Sequence, residues 1–169
     1  MRRIVTGLLL VFVLLFGIRW VSDLLSSDET KIRRMLEHMV EGFDDGQARQ
    51  AISGLAEDWR HASGSESRED LRLFVLGESL RNRDRESKAF RWDAELLEDT
   101  LRIQVEEGAE TATLEVELRL HELSGVVDGE KRWELRWHFR LDAQLIDGPG
   151  GWQIARSSHE DLEGRRIRR

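Results

Sequence analysis

Residues 112–120, ATLEVELRL, and residues 133–141, WELRWHFRL, alternate apolar with mostly charged or polar side chains at a period of two. A strand turns successive side chains to opposite faces, so Ala112, Leu114, Val116, Leu118 and Leu120 share one face. Trp133, Leu135, Trp137, Phe139 and Leu141 share the corresponding face of a second strand. Between them lies Asp128-Gly129, a dipeptide suited to a two-residue hairpin turn. That turn sets a register in which Val116 faces Leu141, Leu118 faces Phe139 and Leu120 faces Trp137. On the other face Glu117 meets Arg140 as an opposite-charge pair, against the small penalty of Glu115 opposite Asp142. Sliding by two residues would put Arg119 opposite Arg140, which is worse.

Outward from this hairpin the pattern extends in both directions. Downstream, Gly148-Pro149-Gly150-Gly151 reads as a turn, with Trp152 and Ile154 on a last strand. Upstream, Leu101, Ile103 and Val105 alternate over a short strand, and Phe90 and Trp92 alternate with charged residues. Further upstream the period becomes helical. Ser26-x-x-Glu29 reads as a capping box ahead of Ile32, Met35, Leu36, Met39, Val40 and Phe43, and Asp44-Asp45-Gly46 stops that helix. A second helix carries Ala48, Ala51, Ile52, Leu55 and Trp59 on one face. After the loop Ala62-Ser63-Gly64-Ser65, Ser67-x-x-Asp70 caps a third helix bearing Leu71, Phe74, Val75 and Leu80. Residues 82–87 are too polar to continue a buried stripe. The predicted fold is α+β: three helices packed on a curved antiparallel sheet whose polar face looks outward.

The N-terminus has another character. Ile4 to Ile18 carries no charge, and extension to Leu25 gives a segment of about 33 Å as a helix, enough to cross a bilayer core. A cleaved signal peptide is the alternative, but Arg19-Trp20-Val21 is a poor cleavage site and a retained anchor is preferred. Arg2 and Arg3 before the span place the N-terminus in the cytoplasm. The sequence thus divides into an anchor at 1–25, a domain at 26–160 and a basic tail at 161–169. The expected location is the inner membrane, single-pass, with lipid contact through residues 4–25 and the C-terminal domain periplasmic or extracellular.

Charge and composition exclude several functions. The chain totals −7; Arg2, Arg3 and Arg19 contribute +3 and the four arginines of 165–169 contribute +4, so residues 23–164 carry −14. Such an acidic body repels phosphate backbones, and no nucleic-acid partner is expected. The absence of cysteine removes disulfides, thiol catalysis and iron–sulfur clusters. The five histidines, at 38, 61, 121, 138 and 159, have no metal-ligand spacing, and the glycines near 150 form no phosphate loop, so neither metal nor cofactor is expected.

The order of elements over residues 28–160 resembles the nuclear transport factor 2-like superfamily, a cone-shaped cystatin-like α+β fold. The resemblance rests on the first helix ending Phe43-Asp44-Asp45-Gly46, the next element ending near Trp59, the helix led by Ser67-Arg68-Glu69-Asp70-Leu71, and the closing Gly151-Trp152-Gln153-Ile154. The superfamily includes isomerases, cyclases, dehydratases, ligand binders and interaction modules, so fold alone leaves function open. Among single-span members, the inner-membrane scaffold component of type IV secretion systems looks similar, although this chain has almost no cytoplasmic segment. Steroid-isomerase-type sites pair an Asp base with a Tyr donor, and dehydratase-type sites also lean on tyrosine. This chain has no tyrosine, so neither arrangement can be copied. An epoxide-hydrolase-type Asp–Arg–Asp set is compatible with composition. The resemblance implies a pocket entrance near the end of the second helix.

Asp58 and His61, three residues apart at that point, are the candidate catalytic acid–base pair. They are equally readable as a helix-end charge and a loop histidine favoured by the helix dipole. Trp59, Trp92, Trp137 and Trp152 are candidate pocket residues, or simply a core of large rings. His121 and His138 fall on the charged outer face with Glu117 and Arg119, and read as solvated. Two functions follow. The preferred one is a non-catalytic anchored module that binds a protein partner or forms a homodimer through the outer sheet face, which requires a small or closed cone. The alternative is small-molecule binding or enzymatic action in an open apolar cone with Asp58 or His61 at its lip.

Overall fold

The computed structural model describes residues 27–83, 90–105, 108 and 110–164. The expected anchor at 1–25, the first proposed cap Ser26, most of the polar stretch 82–87 and the arginines of 165–169 lie outside the described residues. No helix among the described residues is long and apolar enough to cross a membrane.

Helix α1 (Asp28–Asp44) is capped by Ser27, whose Oγ accepts from the Thr30 backbone N–H at 3.3 Å. The cap is one residue later than the sequence suggests. This phase sets Asp28 and Glu29 in the first turn, where the helix dipole favours anions. Gly46 closes the helix with φ +67°, and a Cβ there would sit 3.0 Å from that of Ser79. Only glycine takes that backbone and that contact together without strain.

The second helix is a correction. Helix α2 spans a single turn (Ala48–Ala51), and Leu55–His61 forms strand β1 instead. Residues 55 and 59 are four apart, which shares a face in a strand as well as in a helix, so the spacing could not discriminate. The strand wins because β1 finds a parallel partner in the last strand, with Leu55 beside Ile154 and His61 beside Ser157. Helix α3 (Arg68–Arg81) carries the expected capping box. The Asp70 N–H donates to Ser67 Oγ at 3.3 Å, and the Ser67 N–H donates to Asp70 Oδ2 at 2.9 Å. Leu80, expected on the buried stripe, is instead 73% exposed, and Val75 and Ser79 take the buried positions.

Strands β2 (Trp92–Val105), β3 (Thr111–Val127), β4 (Glu130–Gly148) and β5 (Gly151–Gly164) complete a five-stranded sheet of order β1-β5-β4-β3-β2. The β1/β5 pair is parallel and the others antiparallel. The two pieces expected near 92 and 101–105 are one long strand, interrupted by a register shift between Leu97 and Arg102. The β3–β4 hairpin has the predicted turn, with Asp128 at φ 54° and Gly129 at φ 84°, and the predicted register, including Leu118 opposite Phe139 and Glu117 opposite Arg140. A further shift beyond Leu120 breaks the alternation, so Trp133 turns out of the core and is 37% exposed.

The sheet curls around α1, and the enclosed space has two halves. One is filled: Ile32, Leu101, Leu114, Leu145 and Trp152 belong to one buried cluster, and Leu55, Val116 and Ile154 of the same cluster form its border with the other half. Burying each large aliphatic side chain there contributes about 1.5–3 kcal/mol. The other half is hollow.

Candidate functional site

The hollow half is a cavity of about 320 Å³. Its walls are Met39, Val40 and Phe43 of α1, Phe74 of α3, and inward-facing residues of the sheet such as Leu118 and Phe139. The period-two alternation that builds the sheet also makes this wall apolar, because it sends the charged partners of each strand outward. There His138 Nε2 lies 3.0 Å from Glu117, Arg140 reaches Glu115, Glu117 and Glu160 at 3.4–3.5 Å, and Glu95 takes His121 and Arg119. The exposed pairs among these, such as Arg119–Glu95, are each worth less than about 1 kcal/mol.

The polar groups of the cavity gather at one end: His61 of β1, Glu66 before α3, and Ser157 and His159 of β5. The imidazoles meet, His61 Nε2 lying 3.2 Å from His159 Nδ1. The Ser63 backbone N–H donates to His61 Nδ1 at 3.3 Å. A backbone N–H can only donate, so Nδ1 keeps its lone pair and neutral His61 carries its proton on Nε2. That proton points to His159 Nδ1, and neutral His159 then carries its own on Nε2, 3.8 Å from Asp161 Oδ1. The same Asp161 oxygen accepts from Trp137 Nε1 at 3.0 Å. Trp137 packs edge-on to His159, ring centroids 5.2 Å apart. The result is a directional chain from the Ser63 loop through two histidines to a carboxylate.

Of the residues singled out by sequence, His61, Trp59 and Trp137 line the cavity. Asp58 does not join them. It is exposed on β1, while Trp59 is buried. Residues 58 and 61 would share a helix face, but in a strand an odd separation points them to opposite sides. Trp92 lies outside the lining, in a buried cluster with Phe90 and Leu120, and Trp152 packs in the filled half. Sequence reading missed Ser157, His159 and Asp161. Alternation alone would have hidden them, since it puts positions 157, 159 and 161 on the face opposite Trp152 and Ile154; a register shift between Ile154 and Arg156 switches the phase and turns them inward. Among the described residues, no three His, Asp or Glu side chains converge as a metal would require.

Asp44, taken from sequence only as a helix stop, is a second unusual group. It is half-buried at the end of α1, and its Oδ1 accepts the Ala94 N–H at 2.7 Å. Burial pushes its carboxyl up to about 7, against the lowering effect of that hydrogen bond and helped by the neighbouring charges of Asp93 and Asp45.

No protein-family model matches the chain, and no curated protein matches it in sequence. Solved structures do match in shape. A nuclear transport factor 2-like protein with a cystatin-like fold from Novosphingobium aromaticivorans superposes with a TM-score of 0.62 at 17% identity, covering 89% of each chain. A cystatin-like protein of unknown function from Nostoc punctiforme gives 0.58 at 15% identity, over 82% of this chain and 94% of that one. A proposed scytalone dehydratase from Novosphingobium aromaticivorans gives 0.56 at 13% identity, over 82% and 91%. At these identities the likeness is one of fold. The chain therefore shares the cystatin-like α+β fold of these structures.

Proposed function

We propose that the domain binds a small, mainly apolar molecule in the hollow half of its cone, with the polar end of the ligand beside His61, Ser157 and His159. One observation carries this reading: an apolar cavity whose polar groups are all collected at one end. Its size falls at the lower end of the ~300–1,000 Å³ typical of small-molecule sites. The preference drawn from sequence, a non-catalytic interaction module, went with a small or closed cone, and an apolar cavity of about 320 Å³ supports the small-molecule alternative instead. Alternation alone could not reveal this, because it assigns side chains to the inner face without saying whether they meet across it.

The His61–His159–Asp161 chain favours a second reading of the same pocket, in which the bound molecule exchanges a proton with the histidine pair. As part of the proposal, residues 4–25 hold the domain at a membrane. The start of α1 lies near Glu98 and the filled half, whereas Phe43 and Asp44 end it beside the hollow half, about 25 Å further along the axis.

The test is native mass spectrometry of the detergent-extracted chain with a panel of cyclic and short-chain ketones, alcohols and carboxylic acids. Stoichiometric adducts are expected, and they should vanish in Leu118→Trp, which fills the cavity while far-ultraviolet circular dichroism stays unchanged. Adducts undiminished by Leu118→Trp, or none with any compound, would overturn the proposal.

A further inference from the structure

The hydrogen-bond inventory at the polar end of the cavity narrows the chemical class of its ligand. Ser157 is 8% exposed and lines the cavity. Its Oγ accepts from Trp59 Nε1 at 3.2 Å. An indole N–H can only donate, so this contact occupies a lone pair of the hydroxyl and leaves its proton unspent. No hydrogen bond among the described residues uses that proton.

His61, the residue paired with Ser157 across the β1–β5 pair, spends its own donor elsewhere. In the neutral chain its Nδ1 receives the Ser63 N–H and its Nε2–H is given to His159. The remaining N–H of His159 faces Asp161. The His61 proton is thus given to His159, while His159 Nε2 looks toward Asp161 and not toward Ser157. Glu66, the other polar residue of the lining, is a carboxylate and accepts only. A buried hydroxyl proton with no acceptor is unfavourable, and a bound molecule can relieve it by presenting a lone pair.

We infer that the ligand carries a hydrogen-bond-accepting oxygen of the carbonyl class, held by the Ser157 hydroxyl, with Trp59 fixing the direction of that hydroxyl. The inference rests on the small-molecule reading above and adds the chemistry of the ligand's polar end. It makes Ser157 the residue that distinguishes an oxygenated ligand from a hydrocarbon of the same shape.

Benzophenone and diphenylmethane form a suitable probe pair, since they share two rings and differ in a carbonyl against a methylene. Titration calorimetry on the full-length protein is expected to show benzophenone binding roughly 3- to 10-fold tighter, the range of one neutral hydrogen bond. In Ser157→Ala the two affinities should converge, through loss on the benzophenone side with diphenylmethane unchanged. In Trp59→Phe, which keeps the hydroxyl, the preference should persist. If Ser157→Ala fails to fold, Ser157→Cys, whose thiol is a weak donor, should show a reduced preference in the same direction. Equal binding of both probes to the native protein, or a preference that survives Ser157→Ala or is undiminished in Ser157→Cys, overturns the assignment of Ser157 while leaving the cavity reading intact. Binding of neither probe overturns both.

Discussion

The Asp44 carboxyl makes the stability of the domain depend on pH in a direction opposite to that of most acids. Its folded pKa is raised from 3.8 to about 7 by burial at the junction of α1 and β2. Below pH 3.8 the group is protonated in both folded and unfolded chains and contributes no difference. Between about 4 and 7 the unfolded chain gives up the proton while the folded chain holds it, so stability falls as pH rises. Above 7 the penalty is constant. Three tenfold steps in proton affinity at ~1.36 kcal/mol each set a ceiling of about 4 kcal/mol. Asp44 is only half-buried, and solvent screening reduces the expected effect to about 1–2 kcal/mol. Asp44→Asn keeps an oxygen for the Ala94 N–H and cannot ionise. Urea unfolding of both proteins from pH 4 to 8.5 isolates the effect, because every other titration cancels in the difference. The native protein is expected to lose about 1–2 kcal/mol relative to Asp44→Asn across that range. A difference that is flat, or that grows in favour of the native protein as pH rises, would refute the reasoning.

The two halves of the cone should respond differently to truncation. Leu145→Ala, at 1% exposure in the filled half, is expected to cost about 3–4 kcal/mol in chemical denaturation, whereas Leu118→Ala, which already borders a void, should cost about half as much. Asp58→Ala is expected to leave ligand affinity within about twofold, since it turns away from the cavity, while His61→Ala should weaken it several-fold in the same calorimetric titration.

Much of the architecture was legible because it rests on local rules. The Asp128-Gly129 turn admits few strand pairings, and the charges at Glu117 and Arg140 select among them, so the hairpin register could be read before any tertiary contact was known. The Ser67/Asp70 capping box likewise depends on residues within one turn. What failed were places where two periods coincide or a bulge intervenes. Leu55 and Trp59 fit helix and strand alike, and that ambiguity passed straight to the site, since pairing Asp58 with His61 assumed the helix. Trp133 was lost to a shift in strand register that leaves no mark in composition.

The sequence by itself determined the α+β class, the central hairpin and an inner face without charge, because turn chemistry and side-chain alternation act over a few residues. Only the tertiary structure decided that this face encloses a void and that His61 meets His159 rather than Asp58. The parallel β1–β5 pairing sets His61 beside Ser157, so that its side chain meets that of His159, 98 residues away in the chain. Such long-range pairing depends on how the whole sheet curls around α1, and no local pattern encodes it.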